Sequence, residues 1–142
     1  MKTMFVKPAE IERKWFLIDA EGKPLGRVAG RAASIARGKE KSLFAPHQEC
    51  GDFVVIVNAE KVAISGRKAQ QKLYHHHTGY VGGLKTETFE KLIAKHPTKP
   101  LELAVKGMLP KGPLGRKLCG CVKVYAGPQH PHAAQGPEKI DL

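Results

Sequence analysis

A chain of 142 residues, 42% hydrophobic and 26% charged, is long enough for one globular domain, and this composition excludes a disordered chain. Its formal net charge of +11 and isoelectric point near 9.7 indicate a polyanionic partner such as nucleic acid. The longest apolar run, Phe53 to Val57, is far too short to span a bilayer, so we expect no membrane partner.

Two features of the sequence favour a cytoplasmic location. The first eight residues start like a signal peptide, but four charged residues follow between positions 10 and 14 without a hydrophobic stretch, so we predict no export signal. The three cysteines, Cys50, Cys119 and Cys121, are an odd set that makes a poor disulfide framework. Such cysteine usage is typical of a reducing compartment.

The first half of the chain predicts a βαβ unit. Nearly continuous apolar runs at Trp15–Ala20 and Phe53–Asn58 are typical of strands buried on both faces. Between them, Leu25–Arg37 carries apolar residues at helical spacing, and Gly38 follows as a C-cap. Strand, helix and strand in this order predict a parallel sheet.

The second half predicts further helices and strands of both kinds. Leu73 to His77 is expected to be an exposed strand, followed by a glycine-rich loop. A helix is predicted from about Thr86 to His96, and a second from Pro100 to Met108. Pro113 is expected to start one short turn of helix, and Val122–Ala126 reads as the last strand.

We predict that residues 1–142 form a single domain. Its core is expected over about residues 14–126. The remaining tail, residues 127–142, is rich in glycine and proline, and we expect it to be extended, mobile or ordered only by a partner. The sequence shows no internal repeat and no low-complexity tract.

The segment from Val105 to Leu118 carries the strongest functional signal. It holds three glycines, two prolines and four cations, and no acid occurs between Glu102 and Glu138. Cations set against phosphates release condensed counterions, and glycines let a backbone approach RNA closely. The predicted RNA-binding residues of this segment are Lys106, Gly107, Lys111, Gly112, Gly115, Arg116 and Lys117.

Two more groups of residues are predicted to bind RNA. One lies in another acid-free stretch, between Lys61 and Thr86, and the other lies along the first helix and after it. For Arg27 and Arg31 alone, an ordinary solvated helix face is an equal alternative. The residues of the two groups are Arg67, Lys68, Lys72, His76 and His77, and Arg27, Arg31, Arg37, Lys39, Lys41 and His47.

A catalytic role is the alternative from another class, in the form of a small phosphate-handling or metal-dependent enzyme. Asp19 and Asp52 at strand ends are candidate acids, but such acids often cap the next element. The turn Gly22–Arg27 lacks the residues of a P-loop. No convergent acid, nucleophile or metal set is visible, so we predict no enzyme, no cofactor and no small-molecule substrate.

A zinc site near the C-terminus is a weaker alternative. Cys119 and Cys121 could join His130 or His132, but this spacing is shorter than the usual structural pattern. We therefore favour cysteines that pack as small apolar residues, and we predict no metal.

The segment Val105–Arg116 resembles the signature of the bacterial large-subunit ribosomal protein L-thirteen family. The resemblance extends in order over nearly the whole chain. The other matching stretches are Trp15–Ala20, Leu25-Gly26-Arg27, Pro46-His47, Gly51-Asp52 with Phe53–Ala59, Lys61-Val62, His77-Thr78-Gly79 with Gly82-Gly83, Lys123–Gly127 and His132-Ala133-Ala134-Gln135. One stretch departs from the pattern: Cys119-Gly120-Cys121 stands where the family usually has basic or bulky residues.

The resemblance implies a three-layer α/β/α domain with a four-stranded, mostly parallel sheet and extended basic loops. It implies a structural constituent of the large ribosomal subunit that contacts 23S ribosomal RNA and neighbouring ribosomal proteins and acts early in subunit assembly, without catalysis. A second role, binding messenger RNA as a translational regulator on or off the ribosome, stays open at this point.

Overall fold

The computed structural model describes residues 6–142 of the chain. The very start of the N-terminal segment in which we looked for an export signal, residues 1–5, lies outside the described residues. The strands are β1 (Trp15–Asp19), β2 (Phe53–Val57), β3 (Leu73–His77), β4 (Leu84–Thr88), β5 (Val122–Val124) and β6 (Glu138–Ile140). The α-helices are α1 (Leu25–Arg37), α2 (Lys68–Gln71), α3 (Phe89–Lys95), α4 (Lys99–Met108) and α5 (Pro113–Gly120).

The main sheet has the order β5-β2-β1-β6, and every pair of neighbours is parallel. The central strands β1 and β2 are the two apolar runs, and the register places Ile18 beside both Ile56 and Ile140. The predicted α/β class and four-stranded parallel sheet are confirmed. The fourth strand, β6, lies within the segment that we expected to be a tail, so this segment contributes to the sheet.

The hydrophobic core lies between one face of this sheet and the helices. Ile18, Val54 and Ile56 are fully buried there against the alanine-rich side of α1. Leu101 of α4 and Leu118 of α5 complete this core. Small alanine side chains let α1 pack close to the strands, and α1 ends at Arg37 with Gly38 in the left-handed conformation, as predicted.

The opposite face of the sheet is covered by an aromatic cluster. Trp15 stacks on Phe53 with ring centroids 4.6 Å apart, and His132 stacks on Trp15 at 5.0 Å. The Nε2 atom of His132 lies 2.7 Å from the hydroxyl of Tyr125. These contacts hold the segment before β6 on the sheet.

The predicted helix from Thr86 to His96 is wrong at its start. Residues 84–88 form β4, which pairs antiparallel with β3, and α3 begins only at Phe89. The turn expected at Pro113 is longer than predicted, since α5 continues to Gly120. No helix within residues 6–142 is long and apolar enough to cross a bilayer.

Candidate nucleic-acid interface

The first turn of α1 contributes to a basic cleft. Arg27 is exposed there, and Lys68 of α2 and Lys72 just after α2 lie on the other side of the opening. Together with Met108 they line a cleft of about 540 Å³, which we call the first cationic cleft. The structure therefore brings together predicted residues that are more than 40 positions apart in the sequence.

The last turn of α1 contributes to a second cleft, of about 490 Å³. Arg37 and Lys39 line this second cationic cleft with Phe44 and Met108. The guanidinium of Arg37 lies over the Phe44 ring, 5.7 Å from its centroid, and its Nη2 donates to the carbonyl oxygen of Pro46 at 3.1 Å. These contacts fix the position of the Arg37 charge.

Met108 lines both clefts, since it packs over Gly30 in the middle of α1. The two clefts thus lie along one side of α1, on either side of this methionine. We refer to Arg27, Arg37, Lys39, Lys68 and Lys72 as the cationic face. No pattern in the sequence indicates that Met108 and Phe44 line these clefts, because their positions depend on packing between distant segments.

The segment that is rich in glycine and proline is mostly helical. Val105 to Met108 form the last turn of α4, and Pro113 onwards belongs to α5, so only residues 109–112 lie between helices. Gly112 has φ +107° at this turn, a conformation that L side chains rarely adopt. The cationic residues of the segment are all exposed: Lys106, Lys111, Arg116 and Lys117.

The three glycines of this segment differ in their surroundings. A Cβ atom at Gly115 would lie 1.8 Å from the carbonyl oxygen of Pro110, and Gly115 is buried. A Cβ atom at Gly107 or Gly112 would meet nothing within 4 Å. The need for glycine at position 115 therefore comes from packing within the chain, while the other two leave open backbone at the surface.

Three of the predicted RNA-binding cations are paired with carboxylates. Arg31 forms an ion pair with Glu40, and Lys117 lies 3.5 Å from Glu49. Lys41 lies 2.6 Å from the largely buried carboxylate of Asp52, and this ion pair gives Lys41 a role in stabilising the fold. Within residues 6–142 the other predicted Lys and Arg residues have no carboxylate within 4.0 Å: Arg27, Arg37, Lys39, Arg67, Lys68, Lys72, Lys106, Lys111 and Arg116.

The predicted histidines are exposed but are not brought together. His76 pairs with Lys85 across the ribbon of β3 and β4, while His77 lies on the opposite face of that ribbon. The Nδ1 atom of His77 accepts a hydrogen bond from the backbone N–H of Gly79 at 2.9 Å. His47 is exposed in the loop after the second cationic cleft.

The two candidate acids are held by structural contacts. Asp19 accepts hydrogen bonds from the Asn58 side chain at 2.8 Å and from the Glu21 backbone at 3.0 Å, and these bonds lower the pKa of Asp19. Asp52 accepts a hydrogen bond from the Lys14 backbone in addition to its ion pair with Lys41. Both carboxylates therefore have roles in holding the fold.

The cysteines lie among packing residues. Cys50 and Cys121 are buried, and burial raises the pKa of the Cys121 thiol. His132 is engaged by Trp15 and Tyr125 in the aromatic cluster. Across residues 6–142, no three His, Cys, Asp or Glu side chains are grouped so that they could hold a metal ion.

The chain is a parallel α/β scaffold whose open clefts carry cations without carboxylate partners. These features define the class of small basic binding proteins. The model of the family described as Ribosomal protein L13 matches residues 13–131. The chain belongs to this family, which confirms the resemblance found in the sequence. Because the family consists of structural ribosomal proteins, the prediction of a non-enzymatic protein is confirmed as well.

Individual relatives match from end to end. The protein named Large ribosomal subunit protein uL13 of Treponema denticola is 63% identical over 142 residues, which is all of both chains. The proteins of the same name from Hydrogenovibrio crunogenus and Francisella philomiragia are 56% and 57% identical, again over the full length of both chains.

Proposed function

We propose that the chain is a structural constituent of the large ribosomal subunit, resident in the cytoplasm, and that it binds 23S ribosomal RNA. One observation carries the RNA contact: cations without carboxylate partners line two clefts along α1 in a chain with a net charge of +11. Phosphates entering these clefts would release counterions, which is the main source of affinity for RNA.

The exposed cations around the end of α4 extend this surface. Lys106 lies in the last turn of α4, Lys111 in the short loop and Arg116 in α5, so three different elements hold their backbones. Charges on such fixed elements suit a folded RNA whose phosphates are themselves fixed. The proposal therefore assigns recognition to RNA shape and phosphate positions, with no role for base stacking.

The same surface explains the roles implied for partners and assembly. A protein that contacts RNA through many separate charges can hold together segments that are distant in the RNA sequence. Joining such segments is the role we expect of a protein that acts early in subunit assembly. Neighbouring ribosomal proteins are the other expected partners. Messenger RNA carries the same phosphates as ribosomal RNA, and the experiment below distinguishes the two partners.

The test is the double variant Lys111→Glu with Arg116→Glu in reconstituted large subunits. Both side chains are exposed, so the fold should be kept, while two phosphate contacts become repulsive. We expect incorporation to fall on the order of tenfold, since each of the two lost contacts weakens binding by about 0.7 kcal/mol. Sedimentation on sucrose gradients at moderate and at high salt measures the fraction bound.

A matched control reverses two exposed lysines away from this surface, Lys7→Glu with Lys91→Glu, with the same change in net charge. Normal incorporation of the first variant, or equal loss in both, would overturn the proposed contact. A wild-type chain that stays at the top of the gradient at both salts would overturn the ribosomal role, and capture of messenger RNA by that free chain would then favour a regulator.

A further inference from the structure

The ribbon of β3 and β4 has two faces of very different character. Its inner face carries Tyr74, His76, Lys85 and Glu87, which line a cleft against α3 and α4. Its outer face carries the cross-strand pairs Leu73 with Thr88, His75 with Thr86 and His77 with Leu84. His75 also lines that cleft and Thr88 is half-buried, so the outer face is most open toward the tip of the ribbon.

Large apolar side chains are concentrated on the outer face and at the tip of the ribbon. Leu73 is 51% and Leu84 is 60% exposed, and at the tip Tyr80 is 80% exposed and Val81 fully exposed. These four are nearly half of the nine large exposed hydrophobic residues in the described part of the chain. A concentration of this kind marks an interaction surface.

The same surface carries no formal charge at neutral pH. Neither the outer face nor the tip, residues 78–83, has a Lys, Arg, Asp or Glu, although 26% of the chain is charged. His75 and His77 are its most polar members. A face without cations gains nothing from counterion release, so RNA phosphates are a poor partner for it.

The tip is held in one conformation before any partner arrives. The backbone N–H of Thr78 donates to the Gly83 carbonyl at 3.0 Å, and that of Gly83 donates to the Tyr80 carbonyl at 2.9 Å. Gly79 and Gly82 have positive φ angles, as this tight loop requires. A preorganised loop that presents a tyrosine loses little entropy on binding, and tyrosine is a frequent anchor of protein interfaces.

We propose that the outer face of the ribbon and its tip dock against an apolar, uncharged patch on a neighbouring protein of the large subunit, with Tyr80 and Val81 as the anchor. The proposal rests on the proposed function, because that function supplies the neighbouring proteins. It assigns the two kinds of partner to separate surfaces: RNA to the cationic face, and protein to the outer face and tip of the ribbon. His77, which the sequence predicted to bind RNA, is thereby reassigned to the protein contact.

The test places a photo-crosslinking phenylalanine analogue at position 80 of the full-length chain. Large subunits containing this chain are isolated, irradiated and digested with ribonuclease, and adducts are sized on denaturing gels. The same analogue at Lys68, in the first cationic cleft, serves as the matched control, and we expect it to give adducts that ribonuclease removes. At position 80 we expect an adduct that survives ribonuclease and contains a second protein.

A ribonuclease-sensitive adduct at position 80, or no adduct from a chain present in the particle, would overturn the proposal. Absence of the chain from large subunits, for wild type as well, would be a failure of the proposed function instead.

A second measurement does not depend on the analogue. Tyr80→Ser with Val81→Ser should lower retention in high salt on the order of tenfold, while Leu43→Ser with Leu142→Ser, also exposed but away from the ribbon, should not. Equal retention of the two variants would overturn the docking role of the ribbon.

Discussion

Gly115 and Gly120 lie five residues apart in α5, and only one of them has room for a side chain. Gly115 faces the Pro110 carbonyl, whereas a Cβ atom at Gly120 would meet nothing within 4 Å. Both positions are glycine in the sequence. The sequence alone therefore could not show which of the two tolerates a larger side chain. The difference depends on where the chain turns before α5.

Gly115→Ala should lower the free energy of unfolding by about 1–3 kcal/mol, because backbone atoms of Pro110 would have to move away. Gly120→Ala is the matched control, and we expect it to raise the free energy of unfolding by about 0.5 kcal/mol through reduced freedom of the unfolded chain. Urea unfolding followed by circular dichroism measures both. Equal stability of the two variants would show that α5 shifts without cost.

Asp19 makes stability depend on pH. Hydrogen bonds from Asn58 and Glu21 favour its charged form and lower its pKa in the folded state. Its contribution is therefore complete above the unfolded pKa of about 3.9 and is lost as pH falls through the folded pKa. We expect Asp19→Ala to cost about 1 kcal/mol near neutral pH and progressively less as the solution is acidified.

Urea unfolding of wild type and Asp19→Ala between about pH 6 and about pH 3 measures this trend. A difference between the two proteins that stays constant, or that grows on acidification, would contradict the assignment of Asp19 as a hydrogen-bonded carboxylate.

The apolar periodicity of single segments predicted most helices and strands correctly. It did not predict which distant strands pair with each other. The bounds of α1 and the positions of β1 and β2 come from apolar periodicity within single segments. β4 reads Leu-Lys-Thr-Glu-Thr, an exposed strand with little apolar signal, and its pairing with β3 is what makes it a strand. The cationic residues could likewise be chosen from the sequence, but not their grouping into clefts or their ion pairs.

β6 is only three residues long, yet it contributes to both the sheet and the core. Its three residues pair with β1, and Ile140 packs against the hydrophobic core. Ile140→Ala should lower the free energy of unfolding by about 2 kcal/mol, less than a fully buried site costs at most. Leu142→Ala, two residues later and 46% exposed, is the control and should change it by less than about 0.5 kcal/mol.

Chemical denaturation of the two variants checks this prediction. Equal stability of Ile140→Ala and wild type would mean that β6 does not contribute to the folded domain in solution.

For the molecule as a whole, the cations without carboxylate partners and the largest group of exposed apolar residues lie on different elements. The cationic face runs along α1, and the uncharged outer face belongs to the ribbon of β3 and β4. Both regions belong to elements that are held together by one core of buried aliphatic residues. The net charge of +11 is therefore distributed unevenly over the surface. The outer face of the ribbon and its tip carry no Lys, Arg, Asp or Glu.

The strand order also ties the beginning of the chain to its end. β1 pairs with β2 on one side and with β6 on the other, so one edge of β1 stays open until residues 138–140 are available for pairing. A nascent chain that has already joined β1 to β2 still exposes a row of unpaired backbone groups beside a largely apolar strand. Exposed edges of this kind template wrong pairings between chains. Pairing of β6 is thus the event that covers this edge of β1, and copies of the chain truncated before residue 138 are expected to aggregate through it.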